Sequence, residues 1–257
     1  MRRTTAWLIV VGMAGLTGSP AWARDLRLID AARHADGSTV RALLQQRADV
    51  TAAEGDGTTA LHWAAYRDNL EIADLLIRAG ARVNAANDLG ATPLWAACEN
   101  GSAAMVRRLL QAGGNPNMAL ASGETPLMTA ARTGNVEVVR QLLAKGAEVN
   151  AKERAHHQTA LMWAVAQRHA DVVDVLLAHG ADLRARSSVR TEVVKTSLDP
   201  FNPNYVIDVP QGGYTPLLFA ARVGDLASAK LLVAAGADVN DAAPYGTSPL
   251  VVAAHSG

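Results

Sequence analysis

The sequence predicts an all-α fold, a solenoid of stacked helix-turn-helix units. Three observations predict it. A four-residue phrase returns six times, as Thr59-Ala60-Leu61-His62, Thr92-Pro93-Leu94-Trp95, Thr125-Pro126-Leu127-Met128, Thr159-Ala160-Leu161-Met162, Thr215-Pro216-Leu217-Leu218 and Ser248-Pro249-Leu250-Val251. Its leading Thr or Ser recurs at spacings of 33, 33, 34, 56 and 33 residues, a period that marks stacked supersecondary units. Gly80, Gly113, Gly146, Gly180 and Gly236 follow at matching positions, where a residue free to turn left-handed ends a helix. Function is therefore expected on the stacked surface rather than in one deep pocket.

The N-terminal segment, residues 1–23, stands apart from the array and reads as a secretory signal. Arg2 and Arg3 give a basic start, residues 6–16 are mostly apolar, and Ala21-Trp22-Ala23 supplies the small-x-small pattern for cleavage after Ala23. An uncleaved anchor is the competing reading. Against it, Gly12, Gly15 and Gly18 interrupt a run that falls short of the roughly 20 residues a membrane span needs. Cleavage would place the mature chain in the periplasm or outside the cell, with no membrane insertion.

Removing Arg2 and Arg3 from 24 basic residues leaves 22 against 24 acids, a formal charge of −2. Basic residues are scattered among acids rather than gathered on one face, which argues against nucleic acid as a partner. The single cysteine, Cys98, excludes an intramolecular disulfide. Stability must come from Ala-, Leu- and Val-rich packing between neighbouring units.

Within the unit that starts at Gly55, the Thr59 side chain is placed to cap a helix. In Thr92-Pro93 the proline ring takes the first helical position, where no N–H is needed. Leu61, Ala64 and Ala65 then fall at helical spacing, and the alanines let neighbouring helices approach closely. After a turn at Asp68-Asn69, a second helix follows with Ile72, Leu75 and Leu76, and Gly80 ends it.

The Gly-x-Thr-Pro-Leu-x-x-Ala-Ala phrase, the Gly-Asn or Gly-Asp corner, the Val-x-x-Leu-Leu helix and the closing Gly-Ala-Asp-Val-Asn, in order at this period, resemble ankyrin repeats. Residues 123–150 and 213–240 are good copies, and the resemblance covers nearly all of residues 26–257. It implies antiparallel helix pairs stacked side by side, with β-hairpin loops projecting from the junctions. The division expected is a degenerate N-terminal capping repeat at 24–54, four repeats over 55–183, an insertion at 184–212, one repeat at 213–243 and the start of a truncated repeat at 244–257. The first unit carries Arg47 where later ones carry glycine. At the other end the sequence stops where a second helix should begin, so the chain is expected to be part of a longer reading frame, with a frayed terminus as the alternative.

The insertion is the most individual feature. Two β-branched runs, residues 189–196 and 205–209, flank Pro200 and Pro203, the composition of two strands around a loop. They are expected to form a hairpin finger with Phe201 and Tyr205 near its tip as binding anchors. The other reading is a surface insertion packed back on its own helices.

The resemblance implies partner contact at loop tips and at the exposed end of each first helix. Those positions hold Tyr66 and Arg67, Glu99 and Asn100, Arg132 and Thr133, Ala166 and Gln167, and Arg222 and Val223, which vary while the framework repeats. Trp63 and Trp163 share one repeat position and are expected to fill the seam between helices. Trp95, at the position of His62, is expected to approach the concave side. His156, His157, His169 and His179 lack a ligand set of suitable spacing; the resemblance puts His169 where the family often has a corner His and His62 where a His helps tie loops by hydrogen bonds. Cys98 reads as a buried small side chain. Gly-x-Ser-x-Gly, phosphate-loop, His-Glu-x-x-His and Cys-x-x-Cys patterns are all absent. No enzymatic activity, cofactor or metal is expected; the partner is another protein. The alternatives are an accessory domain of a larger exported enzyme or envelope assembly with activity beyond residue 257, and a structural spacer.

Overall fold

The computed structural model describes residues 25–195 and 206–256. The expected signal segment, Phe201 and Tyr205 lie outside the described residues.

Helices come in pairs: α1 (Arg27–Arg33) and α2 (Gly37–Gln45), α3 (Ala60–Tyr66) and α4 (Leu70–Arg78), α5 (Pro93–Glu99) and α6 (Ala103–Gln111). The series continues with α7 (Pro126–Thr133) and α8 (Val136–Ala144), then α9 (Ala160–Ala166) and α10 (Ala170–Ala178). Strands β1 (Val189–Lys195) and β2 (Val206–Gly212) precede α11 (Pro216–Val223) and α12 (Leu226–Ala234), and α13 (Pro249–Ser256) follows a single 3₁₀ turn.

Local chemistry explains the starts. Thr92, Thr125 and Thr159 accept the N–H three residues on at 3.1, 3.3 and 3.4 Å, satisfying donors that a helix N-terminus leaves free. Second helices carry their own caps, Asp36, Asn69, Ser102, Asn135 and Asp225. In the first unit Arg47 takes the left-handed turn that glycine supplies elsewhere, at φ 60°, with its side chain exposed.

First helices stack on first helices, from α1 through α13, and second helices on second helices, from α2 through α12. Ala64, Ala65, Ala97, Ala130, Ala131 and Ala164 are fully buried on the first helices, where small side chains permit close approach. Ile72, Leu76, Leu109, Leu142 and Leu176 fill the larger space between second helices. Together they form one continuous core running through the array.

Side-chain amides and loop backbones add inter-repeat ladders. Asn84, Asn117 and Asn150, closing their repeats, donate to the carbonyls of Gly113, Gly146 and Gly180 at 2.9, 2.9 and 3.1 Å. Each also accepts an N–H from the next unit, at 2.8, 2.9 and 2.8 Å. Along the loops, Asp88 N donates to Asp56 O, Ala121 N to Leu89 O and Arg154 N to Ser122 O, each at 2.8 Å.

The insertion forms an antiparallel pair, with Val189 opposite Gly212 and Lys195 opposite Val206. The second strand continues three residues past the expected end at Val209, through Pro210, which pairs with Thr191. A two-stranded ribbon has only edge strands, and an edge tolerates a residue with no N–H. α9 packs on α11 and α10 on α12, so the finger leaves the stack unbroken. Among the described residues no helix is long and apolar enough to cross a membrane.

Candidate functional site

Two clefts open on the side formed by first helices and loop tips. The N-terminal one is a groove of about 490 Å³ lined by Trp63, Tyr66, Arg67, Trp95, Asp56 and His62. Tyr66 ends α3 with 53% of its surface exposed. Trp63 meets it edge to face at 6.0 Å between ring centroids. Trp63 is itself held from two sides: its Nε1 donates to Glu54 Oε2 at 2.9 Å, and the Arg33 guanidinium, paired with Glu54, lies 4.7 Å above its ring. Arg67 donates through Nε to Arg33 O at 3.1 Å and leans over Tyr66.

His62 forms the groove floor. Its Nδ1 accepts the Thr59 N–H at 3.1 Å and its Nε2 donates to Ala91 O at 2.9 Å, tying one loop to the next. Burial holds its pKa below the ordinary 6.5, because the charged imidazolium would lose hydration there.

The second cleft, about 450 Å³, lies where the finger leaves the stack. Its construction begins with the one repeat spaced 34 rather than 33 residues, Thr125 to Thr159. Other loops turn on Gly57, Gly90 or Gly123; this one turns on His157, at φ 55°. The buried Glu153 carboxylate organises the longer loop by accepting N–H bonds from Ala155, His156 and Gln158 at 2.6, 2.7 and 3.1 Å. His156 is thereby presented to the finger: its carbonyl accepts Ser188 N at 2.6 Å, and Arg190 Nη2 meets its imidazole at Nδ1 and Nε2.

The other side of the root is clamped by Arg186, which donates to Gly213 O at 2.8 Å and Ala242 O at 3.1 Å and pairs with Asp241. Gly212, at φ 99°, passes so close to Ser188 O that any Cβ would overlap it. Tyr214 stands over the root, 5.8 Å from Phe219 edge to face, with Arg222 5.7 Å above its ring.

The residues expected to meet a partner divide into groups. Tyr66, Arg67 and Trp95 converge on the first groove, and Arg222 lines the second. Glu99 and Arg132 pair with each other across neighbouring repeats. Asn100 donates to Tyr66 O at 2.6 Å and Ala65 O at 3.2 Å, so its amide serves the stack. Asn135 to Gly101 O at 2.7 Å and His169 to Arg132 O at 3.0 Å continue that row of ties. Trp63, read from spacing as seam filler, packs on the core with one edge and lines the groove with the other. Arg190, Glu153 and Arg186 were missed and His156 was weighed only as a metal ligand; the 34-residue spacing beside the insertion was the signal for His156 and Glu153. No cluster that would hold a metal occurs among the described residues.

A family model for ankyrin repeats in three copies matches residues 28–119 and 105–187, and a single ankyrin repeat matches 212–243. The chain belongs to the ankyrin-repeat family. Only ankyrin repeats are matched, and these are typically protein-binding modules without catalysis. Strand β1, and all of β2 but Gly212, fall between the two matches. The ankyrin repeat domain of human ASB11 superposes with a TM-score of 0.70 at 27% identity, covering 88% of this chain and 90% of that one. No curated protein matches the chain.

Proposed function

We propose that this ankyrin array is an exported bacterial envelope protein that holds a partner protein on its concave side, with the Trp63, Tyr66 and Trp95 groove as the apolar anchor site. The observation that carries this reading is the groove itself: the exposed Tyr66 ring beside the partly buried Trp63 and Trp95, with Trp63 fixed by Glu54 and Arg33, on the side where ankyrin loops and first helices converge. Rigid aromatic surface supplies contact area at little entropic cost, and a stack held by hydrogen-bonded ladders needs no rearrangement to bind. The basic and small-x-small features of residues 1–23 support export.

A photocrosslinking residue placed at Tyr66 or Arg67 in the full chain, expressed in a bacterial host that processes its signal, should capture one discrete partner. The same residue at Arg140, exposed on α8, should not. Equal capture from both positions, or from neither, overturns the concave-side reading. Intact-mass measurement of the periplasmic fraction tests export separately: the expected product starts at Arg24, and an unprocessed cytoplasmic chain would refute it.

A further inference from the structure

The cleft at the finger root carries a charge arrangement that the stack itself does not use. Seven arginines, Arg27, Arg33, Arg41, Arg107, Arg108, Arg132 and Arg186, have carboxylate partners. Arg190 and Arg222 line one cleft, and among the described residues neither has an acidic partner. Arg190 rests on the His156 imidazole and Arg222 on the Tyr214 ring, contacts that orient a guanidinium while leaving its charge uncompensated.

The surrounding framework keeps both groups in place. Glu153 fixes the loop that carries His156, the Ser188 and Arg186 bonds fix the strand that carries Arg190, and Tyr214 packs on the buried Phe219. Polar groups of Gln158, Ser188 and Gln211 complete the lining. Glu192 also faces the cleft, so its formal charge is +1 with histidine neutral, which suits a monoanion better than a phosphate dianion. The cleft is open and walled by polar side chains together with Tyr214 and Phe219, unlike the enclosed apolar chamber of a small-molecule site, which suits a side chain carried on a larger chain.

We propose that the finger-root cleft recognises a carboxylate side chain on an acidic segment of the partner, gripped between Arg190 and Arg222. This rests on the reading of the concave side as the partner-binding surface and adds the chemistry of one contact.

The probe is a fluorescent Glu-rich decapeptide, titrated against the full mature chain at low salt by anisotropy, beside its Gln-for-Glu and phosphoserine analogues. The Glu peptide should bind, and the Gln analogue should not. Arg222→Gln and Arg190→Gln should each weaken binding by about tenfold, the usual consequence of losing one charge-assisted hydrogen bond to a carboxylate. Arg67→Gln, in the other groove, should leave it unchanged, and Glu192→Gln should tighten it by removing the opposing charge. Unchanged melting curves for these exposed positions would show that the fold is intact. Tighter binding of the phosphoserine peptide, equal losses in Arg67→Gln and Arg222→Gln, or no binding of the Glu peptide would each overturn the proposal. Failure here with crosslinking at Tyr66 retained would remove the carboxylate contact alone. Peptide binding lost in Arg222→Gln, without any Tyr66 crosslink, would keep the cleft and remove the partner groove.

Discussion

Leu142→Ala tests whether the stack is held by packing between second helices. Leu142 is fully buried on α8, which packs against α6 on one side and α10 on the other. The substitution deletes three carbons; at about 0.8 kcal/mol each, the transfer loss is about 2.4 kcal/mol. Helices anchored on both sides cannot collapse fully into the space, so the cavity raises the expected total into the range of about 2–5 kcal/mol. Because each repeat touches only its neighbours, the loss should centre on the pairs α5–α6 to α9–α10 and broaden or split the transition instead of lowering it uniformly. Urea unfolding followed by far-UV circular dichroism reads both effects. Leu226→Ala, 68% exposed on α12, serves as control and should change stability by under about 0.5 kcal/mol. A Leu142→Ala loss below about 1 kcal/mol with an unchanged slope would refute packing between second helices as the source of cohesion.

Gly212→Ala should cost about 2 kcal/mol or more locally, since φ 99° disfavours any Cβ and the Ser188 carbonyl occupies the space for one; hydrogen exchange should show faster amides in β1 and β2, with α3 to α8 unaffected. Protection unchanged across β1 would contradict the tight crossing at the root. His62, held below its ordinary pKa by burial, is protonated first in the unfolded chain as pH falls. Stability should therefore be flat above about pH 6.5 and decline below it, with a slope of at most about 1.4 kcal/mol per pH unit from this group, down to its lowered folded value. His62→Gln should flatten that part of the curve, and an unaltered decline would assign it elsewhere. Burial pushes the Cys98 thiol up, so it should resist a thiol reagent in the native protein and react only on unfolding. Rapid labelling under native conditions would mean that α5 opens far more readily than its packing implies.

Most of the scaffold was legible because each repeat writes its own local chemistry. Threonine before proline places a cap and a first helical residue, paired alanines announce close helix contact, and a glycine at fixed distance ends the second helix; all act within a few residues. The two β-branched runs of the insertion were readable for the same reason, although the second was read as ending at Val209, because pairing as an edge ribbon is a property of two segments. Tertiary structure decided whatever depends on partners about one repeat away or more. Asn100, expected to face a partner, also holds the carbonyls of Ala65 and Tyr66, and Glu99 and Arg132, 33 residues apart, pair with each other. Trp63 shares a groove with Trp95 although the two differ in repeat position. One extra residue precedes Thr159, where the period is 34 rather than 33. It becomes the Glu153-organised loop that meets the finger and brings His156, Arg190 and Arg222 to one cleft, because hydrogen bonds across stacked loops convert a local insertion into a contact between distant segments.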